Sequence, residues 1–298
     1  MNVLNQYIGK DYALYHGDSV EVLQGLPANS IDYSIFSPPF ASLYTFSNSD
    51  RDMGNCTKDE QFYQQFKFLV DELYRVTKPG RLLSFHCMNF PTSKSRYGVI
   101  GIRDFRGELI RIFTDAGWIY HSEVCIWKNP VVAMQRTKAL GLLWKQIKKD
   151  SSMCRQAIPD FLVTMRKPGE NSEKISHTNE DFPVEVWKNY ASPVWMDINP
   201  SDTLQKESAR DAKDEKHIAP LQLEVIKRGI NLWTNPGDIV LDPFGGIGSS
   251  VYQALLMHRR GIGVELKDSY YQQMVKNCEN ALLEQKKNKI SDRQKTLF

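Results

Sequence analysis

Thirteen residues near the end of the chain constrain its fold more than any others. Asp238-Ile-Val-Leu-Asp-Pro-Phe-Gly-Gly-Ile-Gly-Ser-Ser250 joins a short apolar strand to a glycine-dense turn and the start of a helix. Glycine lets backbone approach a ligand closely, and a helix start offers unpaired N–H groups to a carboxylate or phosphate. Nineteen residues after Gly246, Glu265 ends the run Gly261–Glu265, where an acid can take both hydroxyls of a ribose. A strand–turn–helix unit of this kind belongs in a mostly parallel sheet covered by helices.

The rest of the chain supplies the partners such a sheet needs. Strand-like runs are Tyr12–Tyr15, Ile31–Phe36, Arg81–His86, Ile119–Trp127, Phe161–Met165, Ile239–Leu241 and Gly261–Glu265. Between them, helical periodicity predicts Lys58–Val76 (N-capped by Thr57), Arg106–Ala116, Leu221–Leu232 and Ser249–Arg259. Lys78-Pro79-Gly80 and Asn235-Pro236-Gly237 stop a helix before a strand. Regularity weakens from about Val131 to Lys216: Lys167–Asp181 reads as a loop, and Ser201–Lys216, with five acids and four bases, as a solvated helix or linker. From Glu284 the composition predicts a fraying polar tail.

Composition excludes several classes. With 41% hydrophobic and 24% charged residues the chain is an ordinary globular one, and no apolar run approaches the roughly 18 residues of a membrane span. Met1–Tyr12 is polar, without a secretory apolar region. The five cysteines are scattered with no Cys-x-x-Cys pair, which argues against zinc and disulfides and predicts a cytoplasmic protein with no bound metal. A net charge of +3 identifies no partner, but Trp127–Gln156 holds seven basic residues against Asp150 alone. That block suits either a phosphate backbone or a solvated helix face.

Two ligands compete for the glycine turn. A dinucleotide calls for G-x-G-x-x-G, and here Gly246 and Gly248 are followed by Val251 where the last small residue belongs. A carboxylate at Asp242 would repel a pyrophosphate yet suit an ammonium. S-adenosylmethionine carries an ammonium, a carboxylate and a ribose, so the turn favours it over NAD; a purely structural turn is the third reading.

A second turn, Ser37-Pro38-Pro39-Phe40, ends the run Ile31–Phe36. Two prolines make a rigid exit from a sheet. They also fix a carbonyl, a hydroxyl and an aromatic plate at a strand's carboxyl end, the ligand edge of open α/β sheets. The amino group of a nucleobase is a poor nucleophile because its lone pair is delocalised into the ring. The Ser37 hydroxyl and Pro38 carbonyl could hold its two hydrogens and aim the lone pair, while Phe40 stacks on a base that has left the duplex. Asp18, in His16-Gly-Asp-Ser19, could accept from an adenine amine or merely cap a helix.

Several stretches together resemble the β group of exocyclic-amino DNA methyltransferases. They are Gly17-Asp18-Ser19 through Ser37-Pro-Pro-Phe40, Lys78-Pro-Gly-Arg-Leu-Leu83, Trp127-Lys128, Lys216-His217-Ile-Ala-Pro-Leu221, Asn235-Pro-Gly-Asp238, Asp242-Pro-Phe-Gly-Gly246 and Gly261-Ile-Gly-Val-Glu265. The resemblance implies a Rossmann-like methyltransferase sheet in circularly permuted order, the catalytic motif preceding the cofactor loop. It divides the chain into a catalytic half (1–130), a target-recognition insert (131–215), a cofactor-binding half (216–280) and the polar tail (281–298). Ser37, Pro38, Pro39 and Phe40 become the catalytic turn, and Asp18, His217, Asp242, Phe244, Gly246, Gly248, Ser249 and Glu265 the lining for S-adenosyl-L-methionine. The basic block becomes a DNA-reading surface: Lys128, Arg136, Lys138, Lys145, Lys148 and Lys149, mainly against phosphates.

Two departures bear on detail. Ile247-Gly248-Ser249 stands where the family usually has Ser-Gly-Thr, and Ser37 stands where adenine-specific members usually have Asp or Asn. The second tilts the expected target toward cytosine N4 over adenine N6. Cytosine C5 is excluded, since its chemistry needs a nucleophilic Cys, usually after Pro, and no Pro-Cys occurs. A dinucleotide oxidoreductase and an inactive DNA-binding module on the same fold are the rival classes. DNA is the expected partner; a cognate restriction nuclease and a homodimer are left open by the residues.

Overall fold

A computed structural model describes residues 3–40, 53, 56, 59–92, 94–132, 144–153, 155–204 and 220–295. The elements in its first half are β1 (Asn5–Ile8), β2 (Tyr12–His16), α1 (Ser19–Gln24), β3 (Ile31–Phe36), α2 (Asp59–Val76), β4 (Thr77–Met88), β5 (Phe90–Thr92), α3 (Lys94–Tyr97), β6 (Gly101–Arg103), α4 (Phe105–Asp115) and β7 (Ile119–Ile126). There follow α5 (Trp144–Asp150), β8 (Asp160–Arg166), α6 (Val184–Tyr190), β9 (Val194–Trp195), α7 (Leu223–Trp233), β10 (Ile239–Asp242), α8 (Ser249–Leu256), β11 (Arg260–Glu265) and α9 (Asp268–Lys295).

Among the described residues, nine strands form one sheet in the order β1-β2-β11-β10-β3-β4-β8-β7-β9. Strands β2, β11, β10, β3 and β4 are parallel neighbours, while β8 runs antiparallel to both β4 and β7. This is the expected α/β architecture. Every run expected to be a strand is in this sheet. The chain steps from β3 to β4 in one direction and from β10 to β11 in the other, so the order reverses between β3 and β10. Such a reversal opens a crevice at the strands' carboxyl ends.

Both faces of the sheet are covered, which is why β3 is buried along its whole length. On one face, α2 presents Phe62, Phe66, Leu69, Val70, Leu73 and Val76, a spacing of three and four that makes one helical stripe. It packs with Leu109 and Phe113 of α4 onto Leu83 and Phe85 of β4. Each such side chain, fully buried, contributes roughly 1.5–3 kcal/mol. On the other face, Val225, Ile226 and Ile230 of α7 cover Tyr33, Ile35 and Val240, and Met274 and Cys278 of α9 cover Leu14.

The amino ends of the central strands are tied by charge. Fully buried Arg81 meets Asp238 at 3.0 Å, Asp32 at 3.3 Å and Glu173 at 3.4 Å, and Lys78 adds a 2.6 Å bond to Asp32. Asp32 also accepts from the Ile239 backbone at 2.8 Å. The three carboxylates lie close enough to share a metal ion, but Arg81 and Lys78 already supply cations among them.

The structure differs from the sequence expectations in three places. Helix α9 continues to Lys295, well past the Glu284 at which a fraying tail is expected, because Tyr271, Met274, Cys278 and Ala281 anchor its earlier turns. Edge strands β1 and β9, the β5–β6 hairpin and helices α1, α3, α5, α6 and α9 itself are additional. Finally, β8 and β9 both fall inside the stretch 131–215 yet lie within the main sheet, so that stretch contributes two strands to the sheet as well as the connections between them.

Candidate active site

The parallel strands bring their carboxyl ends, and with them the two turns, to one edge. Val240 and Leu241 of β10 pair with Tyr33 and Ser34 of β3, so Asp242 and Ser37 emerge side by side from neighbouring strands. The turns also touch: the rings of Phe36 and Phe244 lie 5.9 Å apart. The first acidic turn joins them, with the Ser19 hydroxyl donating to the Pro243 carbonyl and the Gly17 N–H donating to the Glu265 carbonyl at 3.0 Å.

Three carboxylates line this edge. Asp242 is buried, accepts from the Phe244 N–H at 2.9 Å, and receives a hydrogen bond from Ser250. Burial pushes its pKa up to about 6, against those two hydrogen bonds, which act to lower it. Glu265 accepts from the Gly246 N–H at 2.8 Å and from the Lys267 N–H at 2.8 Å, which fixes both of its oxygens in place. A carboxylate oxygen so held can still accept from a hydroxyl, having two lone pairs. Asp18 caps α1, accepting from the Glu21 N–H at 3.1 Å. Helix capping therefore explains part of its placement, and its second oxygen is not engaged in that cap.

The glycine turn has a local cause for each residue. Gly248 precedes α8 with φ +88°, a left-handed conformation that side chains resist. Ser249 and Ser250 are buried in the first turn of α8. The missing third small residue is compensated across the strand boundary. A Cβ at Gly261 of β11 would lie 2.5 Å from Cγ1 of Val251, so the strand's glycine, not the helix, makes room for close packing.

The Ser37–Phe40 turn is held from the sheet side. The Ser37 hydroxyl lies 3.3 Å from Nδ1 of His86 and 3.4 Å from the His86 carbonyl. The Phe40 ring is half-buried among His86, Phe90 and Phe105, at centroid distances of 6.4, 6.1 and 6.3 Å. Pro38 and Pro39 carry the chain from β3 to that cluster.

The basic residues fare unevenly. Lys128 is half-buried and paired with Asp160 at 2.5 Å, and the same Asp160 lies 3.2 Å from His86. Lys148 and Lys149 are exposed on α5, with the Lys148 ammonium 5.4 Å from the Trp144 ring centre. Lys145 lies on the same helix. Arg136, Lys138 and His217 lie outside the described residues. Sequence reasoning missed His86 and Asp160. No local pattern marks them: His86 lies two residues before the end of β4, and Asp160 opens β8.

The donor set fits S-adenosylmethionine: a buried carboxylate for an ammonium, a helix start for a carboxylate, and a second carboxylate, held rigidly, for ribose hydroxyls. A pyrophosphate would instead meet three carboxylates.

Known proteins agree with this architecture. The family model described as DNA methylase, of the N6 and N4 type, matches residues 31–276. The type II methyltransferase M.BglII of Bacillus subtilis is 24% identical over 263 residues, covering 86% of this chain and 66% of that protein. M.BamHI of Bacillus amyloliquefaciens is 26% identical over 288 residues, covering 94% of this chain and 58% of that one. The chain thus spans less than two thirds of either relative. Two solved structures share the fold. TTHA0409 of Thermus thermophilus, a candidate DNA modification methylase complexed with S-adenosyl-L-methionine, superposes with a TM-score of 0.65 at 21% identity, over 90% of this chain and 95% of that one. The cytosine-N4-specific PvuII DNA methyltransferase does so at 0.65 and 18%, over 93% and 90%. With most of its length matched by the family model and its sheet shared with these structures, the chain belongs to the N6/N4 DNA methylase family.

Proposed function

We propose that this protein transfers a methyl group from S-adenosyl-L-methionine to the exocyclic amino nitrogen of a base flipped out of DNA, with cytosine N4 the preferred target over adenine N6. The observation that carries the reading is the adjacency of the Ser37 turn and the Asp242 turn on neighbouring strands. A base amine at Ser37 and a methionine end at Asp242 would then meet across one crevice.

The bound cofactor supplies an electrophilic methyl on a positively charged sulfur. The chain supplies position. Asp242 takes the ammonium, and the N–H groups at the start of α8, beside Gly248 and Ser249, take the carboxylate. Glu265, steadied by Gly246 and Lys267, takes the ribose hydroxyls; Asp18 takes the adenine amine, and Phe244 flanks the site. By the family resemblance, His217 closes over the methionine end of the cofactor. Ser37 and the Pro38 carbonyl each accept one hydrogen of the base amine, pulling the nitrogen toward tetrahedral geometry and aiming its lone pair. Phe40, braced by Phe90 and Phe105, offers the flipped base a face to stack on.

DNA recognition is assigned to the connections around β8, where Lys148 and Lys149 are exposed; Arg136, Lys138 and Lys145 join them by sequence position. Ser37 in place of a carboxylate or carboxamide favours cytosine, and either amine fits the same two acceptors. Single-molecule sequencing of DNA from cells expressing the chain tests the reading. Modified cytosines in one recurring context are expected, and DNA without any modification would count against it.

A further inference from the structure

One line of side chains leads from the catalytic turn into the sheet. Ser37 Oγ is 3.3 Å from His86 Nδ1; His86 Nε2 is 3.2 Å from Asp160 Oδ2; Asp160 Oδ1 is 2.5 Å from Lys128 Nζ. The topology builds it. Tyr33, Ile35 and Ser37 alternate onto one face from β3, and Leu82, Ser84 and His86 onto the same face from β4. That shared face shows in the 2.7 Å bond from the Tyr33 hydroxyl to Ser84. Because β8 is antiparallel to β4, its first residue, Asp160, pairs with Met88 and arrives at the same edge.

His86 is 8% exposed and Asp160 5%, so this arrangement is set inside the protein. Burial acts against the charged Asp160 carboxyl, but His86 and Lys128 outweigh it and hold its pKa below the ordinary carboxylate range. With Lys128 beside it, a charged Asp160 favours the His86 tautomer whose proton sits on Nε2, the nitrogen that lies 3.2 Å from Asp160 Oδ2 and has no other partner, and that tautomer leaves Nδ1 bare. The Ser37 hydroxyl hydrogen then points inward, toward Nδ1 at 3.3 Å and the His86 carbonyl at 3.4 Å. The Ser37 oxygen is left with its lone pairs facing outward, which is the form an amine-binding acceptor must have.

We infer that His86, oriented by Asp160 and Lys128, is a positioning residue that fixes Ser37 as a hydrogen-bond acceptor and takes up the proton that the target amine loses. The inference rests on the function proposed above. In the transfer, the amine lone pair forms the N–C bond while the C–S bond breaks, its electron pair going to sulfur and cancelling the sulfonium charge. The nitrogen now carries the positive charge and releases one proton to Ser37 Oγ. The hydroxyl hydrogen of Ser37 moves to His86 Nδ1, and the imidazolium is stabilised by Asp160 until its proton reaches solvent. The chain of atoms ends balanced, with a neutral methylated amine and a neutral thioether.

Two readouts separate this role from a structural one. The first is ¹⁵N spectroscopy of the histidine-labelled full chain, with His86 assigned by its loss in His86→Gln or His86→Asn. A proton on Nε2 and a bare Nδ1 are expected, with the Nδ1 signal moving in Ser37→Ala; a proton resident on Nδ1 overturns the inference. The second is steady-state methyl transfer. His86→Ala should lower kcat about 100-fold, within the range of a positioned acid–base group, with KM for DNA and cofactor Kd changed less than about threefold. His86→Asn, whose amide oxygen stands near the place of Nδ1, should recover about tenfold of that loss. In a Ser37→Ala background, His86→Ala should cost less than about threefold more, because residues acting as one unit are not additive. Losses that multiply in the double variant, or a kcat in His86→Ala within about threefold of wild type, overturn the role. If the wild-type chain methylates no DNA, the proposed function fails first, and the histidine spectrum still decides whether His86 fixes Ser37 as an acceptor.

Discussion

Asp242, proposed to take the cofactor's ammonium, is a buried carboxyl whose stability and binding contributions should respond oppositely to pH. Its carboxyl is raised to about 6 by burial, so between the ordinary carboxylate pKa and 6 the folded chain holds a proton that the unfolded chain has lost. This group's contribution to stability therefore falls as pH rises through that window and is regained as pH falls. Cofactor binding should run the other way, since only the charged form attracts an ammonium. Asp242→Asn is expected to weaken S-adenosylmethionine binding by about 30-fold, a loss of ~2 kcal/mol for a charge-assisted hydrogen bond. At pH 8 its melting temperature without cofactor should equal or exceed wild type; calorimetric titration and a thermal melt of one sample check both. Unchanged affinity would remove Asp242 from the site. Asp242 and Glu265 were legible in the sequence because each ends an apolar run beside glycines. His86 and Asp160 were not, because they meet only through the antiparallel pairing of β8 with β4, which no local pattern announces.

At the scale of elements, the strands were legible wherever they were buried. Alternating or continuous apolar runs marked β2, β3, β4, β7, β8, β10 and β11, and the glycine turns marked where α8 begins. The strands missed are short or lie at the sheet edge: β1 is exposed along its length and β9 has two residues. β1 buries little side chain, and β9, although it buries Trp195, is too short to show any alternation. The junction of α8 and β11 carries a sharper consequence. Val251 sits where a dinucleotide fold would place a small residue, and it fits because Gly261 opposes it. Gly261→Ala should therefore destabilise the protein by about 1–3 kcal/mol through overpacking, and adding Val251→Ala should recover part of the loss. Denaturant titrations of the two variants measure this. A Gly261→Ala protein as stable as wild type would mean that the helix–strand spacing is looser than the 2.5 Å approach implies.

The molecule as a whole keeps the charge cluster that ties the strands and the candidate site at opposite ends of the sheet's central strands. The Arg81 cluster ties β3, β4 and β10 at their amino ends, while the two turns meet at the carboxyl ends of β3 and β10. Removing Arg81 leaves Asp32 and Asp238 buried without their shared cation, which typically costs about 3–5 kcal/mol, so Arg81→Ala should melt far below wild type. At a temperature where it remains folded, its cofactor affinity should stay within about threefold of wild type, since additivity holds across distant sites. The order of the motifs along the chain was legible, because each turn lies in one short segment. Within the stretch 131–215 only the run Phe161–Met165 was legible, as a strand; that it pairs between β4 and β7 emerges from sheet order rather than composition. No helix among the described residues is long and apolar enough to cross a membrane. The most direct test of methyl transfer to an amino nitrogen is mass spectrometry of nucleosides from DNA incubated with the protein and S-adenosylmethionine carrying a trideuterated methyl. Trideuterated N4-methylcytosine is the expected product, and label on adenine N6 would change the base while keeping the chemistry. Label on cytosine C5, or on no nucleoside at all, would contradict it.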